Sequence, residues 1–353
     1  MSVKQATNLL IPIDNFYIRN GLDQEDKLAC YEFVKNAFPG KNLEEPACQG
    51  YCSLTFFVGE HIIIQFRPQQ YKLNLSITHA AREVYAIYCP QITYITTIPK
   101  SGLLVYTMNR LPGVSYADFR ASNSSLTDST TTRAILCKDF AVFLAMGWRR
   151  KDCISIPLGV VGSSLLSRLE LLCKDLPLRF KPTAKRILKN IHQIESLPWV
   201  LTHGDIIPSN IIINPLTHHL VGLVDWAEAE SLPFGICLYG LEEILGEITP
   251  NAFQYHPNAS YLRKIFWTEL TTRIPDLKRD KVMKAARLAR DLGVLLWHGI
   301  AWDDGAINRV VSEGRDEDGD EIRKLDAFLG VEIKTDVEVD AQGISGLENS
   351  SKL

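Results

Sequence analysis

The chain has 353 residues, 46% hydrophobic and 22% charged, with a formal net charge of −3. That composition is globular and its length suits two domains or lobes. It excludes the strong basic field that nucleic acid or an anionic membrane would require, so neither is an expected partner. The eight cysteines (Cys30, Cys48, Cys52, Cys89, Cys137, Cys153, Cys173 and Cys237) form no CxxC pair and no zinc-ligand spacing. They read as reduced thiols of a cytosolic protein. The N-terminal residues lack the long apolar stretch of a secretory signal, and no run approaches the ~20 apolar residues of a membrane span. A soluble, cytoplasmic protein is expected.

In chain order, residues 1–45 mix an apolar run at Leu9–Ile13 with a helical pattern at 23–38. LTFFV (54–58) and HIIIQF (61–66), around a Gly59-Glu60 turn, predict a β-hairpin that Pro68 ends. Residues 77–88 carry apolar positions at helical spacing, and QITYI (91–95) and GLLVYTM (102–108) predict two more strands. The order strand, strand, helix, strand, strand predicts an antiparallel sheet with one packed helix. The character changes at Leu111-Pro112-Gly113, the expected boundary between lobes. Residues 115–195 are mostly helical in pattern, broken by a Ser/Thr-rich stretch (122–132) and a Gly/Pro/Ser loop (155–164). Short apolar strands follow at 199–204, 210–214 and 220–226, and helical pattern returns over 236–330, clearest at 286–302. The acidic segment 313–321 reads as solvated, and residues 331–353 as a polar, disordered tail. No internal repeat of fixed period is present.

The segment that carries chemistry is His203-Gly204-Asp205-Ile206-Ile207-Pro208-Ser209-Asn210, followed by Asp225-Trp226 at the end of an apolar strand. Phosphoryl transfer needs an acceptor held in line with the γ-phosphate and metal ions to neutralise the phosphate oxygens. A loop carboxylate with an Asn shortly after it supplies a base and a metal ligand. A second carboxylate on a strand end can hold Mg²⁺. Asp205, Asn210 and Asp225 provide that inventory in that order, with the spacing of a kinase catalytic loop.

The segment resembles the His-Gly-Asp-x-x-x-x-Asn motif of the aminoglycoside phosphotransferase and choline kinase group. Asp225-Trp226 is similar to the Asp-Phe-Gly segment of protein kinases. The resemblance covers about 46–330 and is strongest over 199–234. It implies an α+β, two-lobed protein-kinase-like fold: an extension at 1–45, an N-lobe at 46–110 with an antiparallel sheet and a helix, a mainly helical C-lobe at 111–330, and the tail. It implies Asp205 as catalytic base and Asn210 and Asp225 as metal ligands, with His203 supporting the loop. The cofactors implied are ATP and Mg²⁺, and the partner is a small molecule bearing a hydroxyl group. The segments Gln65-Phe66-Arg67 and Asp225-Trp226-Ala227-Glu228-Ala229 look like the fungal branch of that group.

Nucleotide contacts are less sharply marked. Gly50 and Ser53, just before the first hairpin strand, correspond to the loop that covers the triphosphate. Gln65 stands where the kinase pattern has Lys; Arg67 shares its face of the strand and offers a guanidinium suited to phosphate oxygens, with Glu83 as its expected partner. Backbone atoms near Tyr106 and Met108 correspond to the adenine-binding hinge. Glu228 and Glu230 are candidates to extend the metal site. An acidic lining of Glu228, Glu230, Glu242 and Glu243 would favour a cationic acceptor. The aromatics Trp297, Trp302, Tyr255 and Trp267 are candidates for the acceptor cleft, with core packing as the other reading. The missing Lys keeps a second function open: a pseudokinase-like nucleotide- or metabolite-binding module with little catalysis. The Gly in place of Arg in the catalytic loop, and the lack of an Ala-Pro-Glu segment, argue against protein-kinase activity.

Overall fold

The computed structural model describes residues 13–46, 49–122, 130–151, 158–303 and 306–330. The N-terminal part runs α1 (Ile13–Arg19), α2 (Gln24–Ala37), β1 (Leu43–Glu44), β2 (Leu54–Val58), β3 (Ile62–Arg67), α3 (Leu75–Tyr85), β4 (Ile92–Thr97) and β5 (Leu104–Asn109). Its five strands form one antiparallel sheet in the order β1-β2-β3-β5-β4.

Alternation along the strands sorts side chains to the two faces. Leu54, Phe56, Val58, Ile64, Phe66 and Val105 are buried on one face together with Phe16 and Tyr17 of α1 and Cys30 and Val34 of α2. The other face carries Thr55, Gln65 and Arg67, which are hydrogen-bonded in a row. The first helices thus form the outer layer of the N-lobe. The expected boundary at residue 46 shifts accordingly: β1 already pairs with β2, and α1 and α2 share the sheet's core. A capping box between Asp23 and Asp26 starts α2, and the Asn74 side chain caps α3.

The chain then continues through β6 (Val114–Ser115), α4 (Tyr116–Ser122), α5 (Thr130–Arg149), α6 (Leu165–Asp175), α7 (Lys181–Lys189) and α8 (Ile191–Glu195). Next come β7 (Trp199–Thr202), β8 (Ile211–Ile213), β9 (Leu220–Leu223), β10 (Glu230–Pro233), α9 (Gly240–Leu245), β11 (Gly246–Ile248) and β12 (Phe253–Tyr255). The last elements are α10 (Ala259–Arg273), α11 (Asp280–His298), β13 (Ile300–Asp303), β14 (Ala306–Val310) and α12 (Gly319–Gly330). The fold is α+β, a five-stranded antiparallel lobe followed by a mainly helical one.

α3 joins the two. Its Ala80, Ala81, Val84 and Tyr85 are buried in the same apolar cluster as α5, β7 and α11. Tyr85 stacks on Phe143 at 4.4 Å. Two expectations change in the C-lobe. The helical pattern read over 286–302 stops at His298, where the chain turns into β13. The acidic stretch 313–321 is exposed over 313–317, as expected, but its end is docked: Asp318 and Glu321 are buried, Asp318 accepting from Arg309 Nη1 at 2.6 Å and Glu321 bonded to His298 Nδ1 at 2.5 Å. Cys48, Cys153 and the segment 331–353 lie outside the described residues; the other six cysteines are free thiols. No helix among the described residues is long and apolar enough to cross a membrane.

Candidate active site

The loop 203–210 leaves the end of β7, which β10 holds by antiparallel pairing. His203 is buried and oriented from both sides. Its Nε2 bonds the Val224 carbonyl at 2.9 Å, and its Nδ1 accepts the Asp205 N–H at 3.2 Å. Those partners assign the proton to Nε2 and a neutral ring. Burial drives the His203 pKa down to about 4.

Gly204 follows with φ +79°, and a Cβ there would stand 2.2 Å from the Glu228 carbonyl oxygen. Only glycine fits such a turn. Ile206 is fully buried and pins the loop, its N–H donating to Tyr239 Oη at 3.0 Å. Asp205, between these anchors, is half-buried, with its Oδ1 turned away from solvent. Asn210 Nδ2 donates to Asp205 Oδ2 at 2.9 Å and to the Asp205 carbonyl at 3.0 Å. With its amide nitrogen spent on Asp205, Asn210 has its amide oxygen left to offer a cation.

The second carboxylate is tied to the first by main chain. Val224 N–H donates to the Asn210 carbonyl at 3.0 Å. Asp225 follows in the left-handed region (φ 62°, ψ 66°), a conformation in which a non-glycine residue is uncommon and which Asp tolerates better than most. Trp226 is buried beneath it, donating from Nε1 to the Leu223 carbonyl at 2.8 Å and packing on His203 at 4.6 Å between centroids. The turn thereby leaves the Asp225 carboxylate half-exposed.

From the sheet, Arg67 reaches toward this carboxylate. Its Nη2 lies 3.8 Å from Asp225 Oδ1. The guanidinium is buried and aimed by two further bonds, Nε to Gln65 Oε1 at 3.1 Å and Nη1 to the Tyr71 carbonyl at 3.2 Å. Gln65 in turn donates to Thr55 Oγ1 at 3.3 Å. The loop before β2 comes to the same place. Burial pushes the Cys52 thiol up to about 11, while Arg67, Asp225, Glu228 and Arg19 all stand close enough to act on it by charge. Gly50 is exposed in that loop, whereas the Ser53 side chain is buried, its Oγ 3.5 Å from Thr55 Oγ1.

Asp205, Asn210, Asp225, His203, Gln65 and Arg67 are therefore brought together. Other expected members are not. Glu83 is exposed and makes no ion pair among the described residues. The buried positions 80, 81, 84 and 85 set the rotation of α3, leaving His79 and Glu83 on its solvent side. Asp225 takes the place expected of Glu83 beside Arg67. Tyr106 and Met108 are interior to β5 and laddered on both edges, Tyr106 opposite Gln65 and Tyr94, Met108 opposite Ile63 and Ile92. Their main-chain groups are spent on the sheet, and the first chain free of it lies past Arg110, whose N–H still donates to His61.

The expected acidic lining also dissolves. Glu230 is buried with its carboxylate accepting from Val161 N at 3.0 Å and Gly162 N at 2.6 Å. Glu242 pairs with Arg263 at 2.7 Å and Glu243 with Lys324 at 2.7 Å, both buried. Glu228 alone of the four is partly exposed. Of the aromatics, Tyr255 donates to Glu242 at 2.9 Å and Trp267 packs edge-on to Phe266, so both belong to the core. Trp297 is partly exposed and stacks on Tyr239 at 5.4 Å, and the side chain of Trp302 lies outside the described residues. Tyr239 and Tyr85, which bond the main chain at Ile206 and Leu201, were not signalled by any motif.

The sequence model of the phosphotransferase enzyme family, APH, matches residues 73–234, the stretch from just before α3 to just past β10. Among solved structures, the GDP complex of aminoglycoside 2'-phosphotransferase-IIIa is similar at TM-score 0.52 with 13% identity, over 77% of this chain and 91% of that one. The phosphotransferase fold is shown by that likeness. The streptomycin–ATP complex of APH(2")-IIa aligns at TM-score 0.47 with 17% identity, over 78% of this chain and 89% of that one. APH(3'')-Id from Streptomyces rimosus aligns at 0.46 with 12% identity, over 77% and 99%. No curated protein matches the chain. The Asp225 turn, tied to the 203–210 loop through Val224 and Asn210, lies within reach of Arg67 from the five-stranded sheet.

Among the described residues no three His, Cys, Asp or Glu side chains cluster to hold a metal on their own. The donor set at Asn210 and Asp225, one amide oxygen and one half-exposed carboxylate, suits an ion that completes its shell with water and phosphate oxygens. Magnesium in nucleotide sites behaves in that way.

Proposed function

We propose that the chain is an ATP-dependent phosphotransferase acting on a hydroxyl group of a small molecule, of the aminoglycoside phosphotransferase and choline kinase type. The segments at 65–67 and 225–229 favour the fungal branch of that group. The observation that carries the reading is the joined pair of Asp205 and Asn210 at 2.9 Å, tied through Val224 to an Asp225 that faces a buried guanidinium.

Asp205 is the base. The Asn210 amide fixes the rotation of its carboxylate, so that one oxygen can accept the acceptor's hydroxyl proton as the oxygen attacks the γ-phosphorus. Asn210 and Asp225 are the residues that would hold magnesium, which neutralises phosphate charge when bound. Arg67, with Gln65 behind it, steadies the α/β-phosphates bidentately. Gly50 and its neighbours cover them. His203 takes no proton: it is neutral and buried, and keeps the loop in shape.

An ATP-consumption screen over hydroxylated metabolites tests the proposal, with Asp205→Asn and Asp225→Ala as controls. Turnover on one acceptor class, lost in both variants, is the expected result; turnover that survives Asp205→Asn removes Asp205 from the base role. Gln65 in the position of the usual Lys favours a second reading, a nucleotide-binding module with little turnover. Stabilisation by ATP and Mg²⁺ with no consumption on any acceptor would select it.

A further inference from the structure

The loop at 49–53 is closed at its base by Gln49. This buried side chain donates from Nε2 to the Thr55 carbonyl at 2.9 Å and accepts the Thr55 N–H at 2.8 Å, taking the place of a strand. The tip of the loop is held from α1. Arg19 Nη2 donates to the Tyr51 carbonyl at 2.7 Å, and the guanidinium lies 4.1 Å from the centre of the Tyr51 ring. Tyr51 meets Tyr71 edge-on at 6.1 Å, and the Tyr71 carbonyl accepts from Arg67 Nη1 at 3.2 Å. One run of contacts therefore leads from α1, through the loop, to the guanidinium beside Asp225. α1 is itself fixed, because Phe16 and Tyr17 are buried against the sheet.

We infer that Arg19 is a positioning residue for the nucleotide phosphates: it holds the 49–53 loop closed and, through Tyr51 and Tyr71, keeps Arg67 aimed at the site. This rests on the nucleotide-binding reading above. Main-chain N–H groups cradle a phosphate only when the loop that bears them is held in one conformation, and a flexible loop must be ordered at the expense of affinity. A guanidinium can donate in its plane while stacking with its face. The ammonium of a Lys cannot do both.

The test is calorimetric binding of ATP with Mg²⁺ to the full chain and to Arg19→Ala, Arg19→Lys, Tyr51→Ala and the Arg19→Ala/Tyr51→Ala pair. Hydrogen exchange of residues 49–53 is followed without nucleotide. Loss of one charge-assisted contact predicts affinity about 10-fold weaker in Arg19→Ala. The expected pattern is a smaller loss in Tyr51→Ala, which removes the ring but keeps the main-chain acceptor, a loss in the pair below the sum of the two, partial recovery in Arg19→Lys, and faster exchange of the loop in each alanine variant. A merely structural role would lower thermal stability without this coupling between Arg19 and Tyr51. Should Arg19→Ala fail to fold, Tyr51→Ala tests the stacking half of the contact from the loop side. Unchanged affinity and unchanged exchange in a wild type that binds ATP overturn the role of Arg19 and leave the nucleotide site standing. A wild type that binds no nucleotide overturns both.

Discussion

Arg67 Nη2 stands 3.8 Å from Asp225 Oδ1, the one carboxylate paired with that guanidinium among the described residues. A buried cation with a single long ion pair has unspent capacity for an anion. Removing it should therefore be felt in nucleotide binding. Arg67→Ala is expected to weaken ATP binding by roughly 10- to 100-fold, the range of a charged hydrogen bond, with Arg67→Lys in between. Titration calorimetry decides; equal affinities would show that the phosphates lie elsewhere.

Asp225 is expected to carry the metal dependence. A nucleotide at about 100 times its Kd stabilises the fold by about 2.7 kcal/mol. In the wild type this stabilisation should require Mg²⁺, and in Asp225→Ala it should be the same with or without the metal. Thermal melts with ATP, with and without EDTA, make the comparison.

Gly204 tests the loop's geometry. At φ +79°, with the Glu228 carbonyl oxygen 2.2 Å from any added Cβ, Gly204→Ala must move main chain. A loss of about 3 kcal/mol or more is expected, since strain and a backbone clash act together. Urea unfolding measures the loss. Turnover should fall further than stability alone explains, because Asp205 is the next residue.

His203 sets a pH dependence of stability. Its pKa is near 4 in the fold against 6.5 ordinarily, so the unfolded chain binds the proton first. Stability from this group is whole above pH 6.5 and falls as pH drops toward 4, by roughly 3 kcal/mol in all. His256, also lowered to about 4 by burial, adds in the same direction. Denaturant midpoints between pH 7 and 5 should decline, and His203→Gln should flatten the decline.

Lys324 neutralises Glu243 inside the C-lobe at 2.7 Å, with His298 Nε2 3.7 Å from the same carboxylate. Lys324→Met leaves that charge buried and is expected to cost about 3–5 kcal/mol. Adding Glu243→Gln should recover much of it. Independent effects of the two substitutions in a double-mutant cycle would refute the coupling.

The β2–β3 hairpin, β4, β5 and the candidate-site segments were legible because each is written locally. Alternation and β-branched residues mark the strands, and the His-Gly-Asp…Asn and Asp-Trp segments each lie within a few residues. What escaped depends on rotation and on distant partners. Glu83 sits at a plausible spacing, but the face that α3 buries is chosen by Phe143 and Trp226, far along the chain. Glu242 and Glu243 look like solvated acids until Arg263 and Lys324 arrive from α10 and α12. Arg19 carries no motif at all; its meaning comes from a packed helix that composition alone cannot dock.

The pairing of α9 with α12 also has a consequence for biosynthesis. Glu243 and His298 are translated before Lys324 and Glu321, which neutralise and hydrogen-bond them. Until that last helix emerges from the ribosome, the nascent C-lobe holds acids and an imidazole that it cannot afford to bury. Its closure has to wait, and nonsense truncations upstream of residue 319 should be met by chaperones and proteases as unfinished chains.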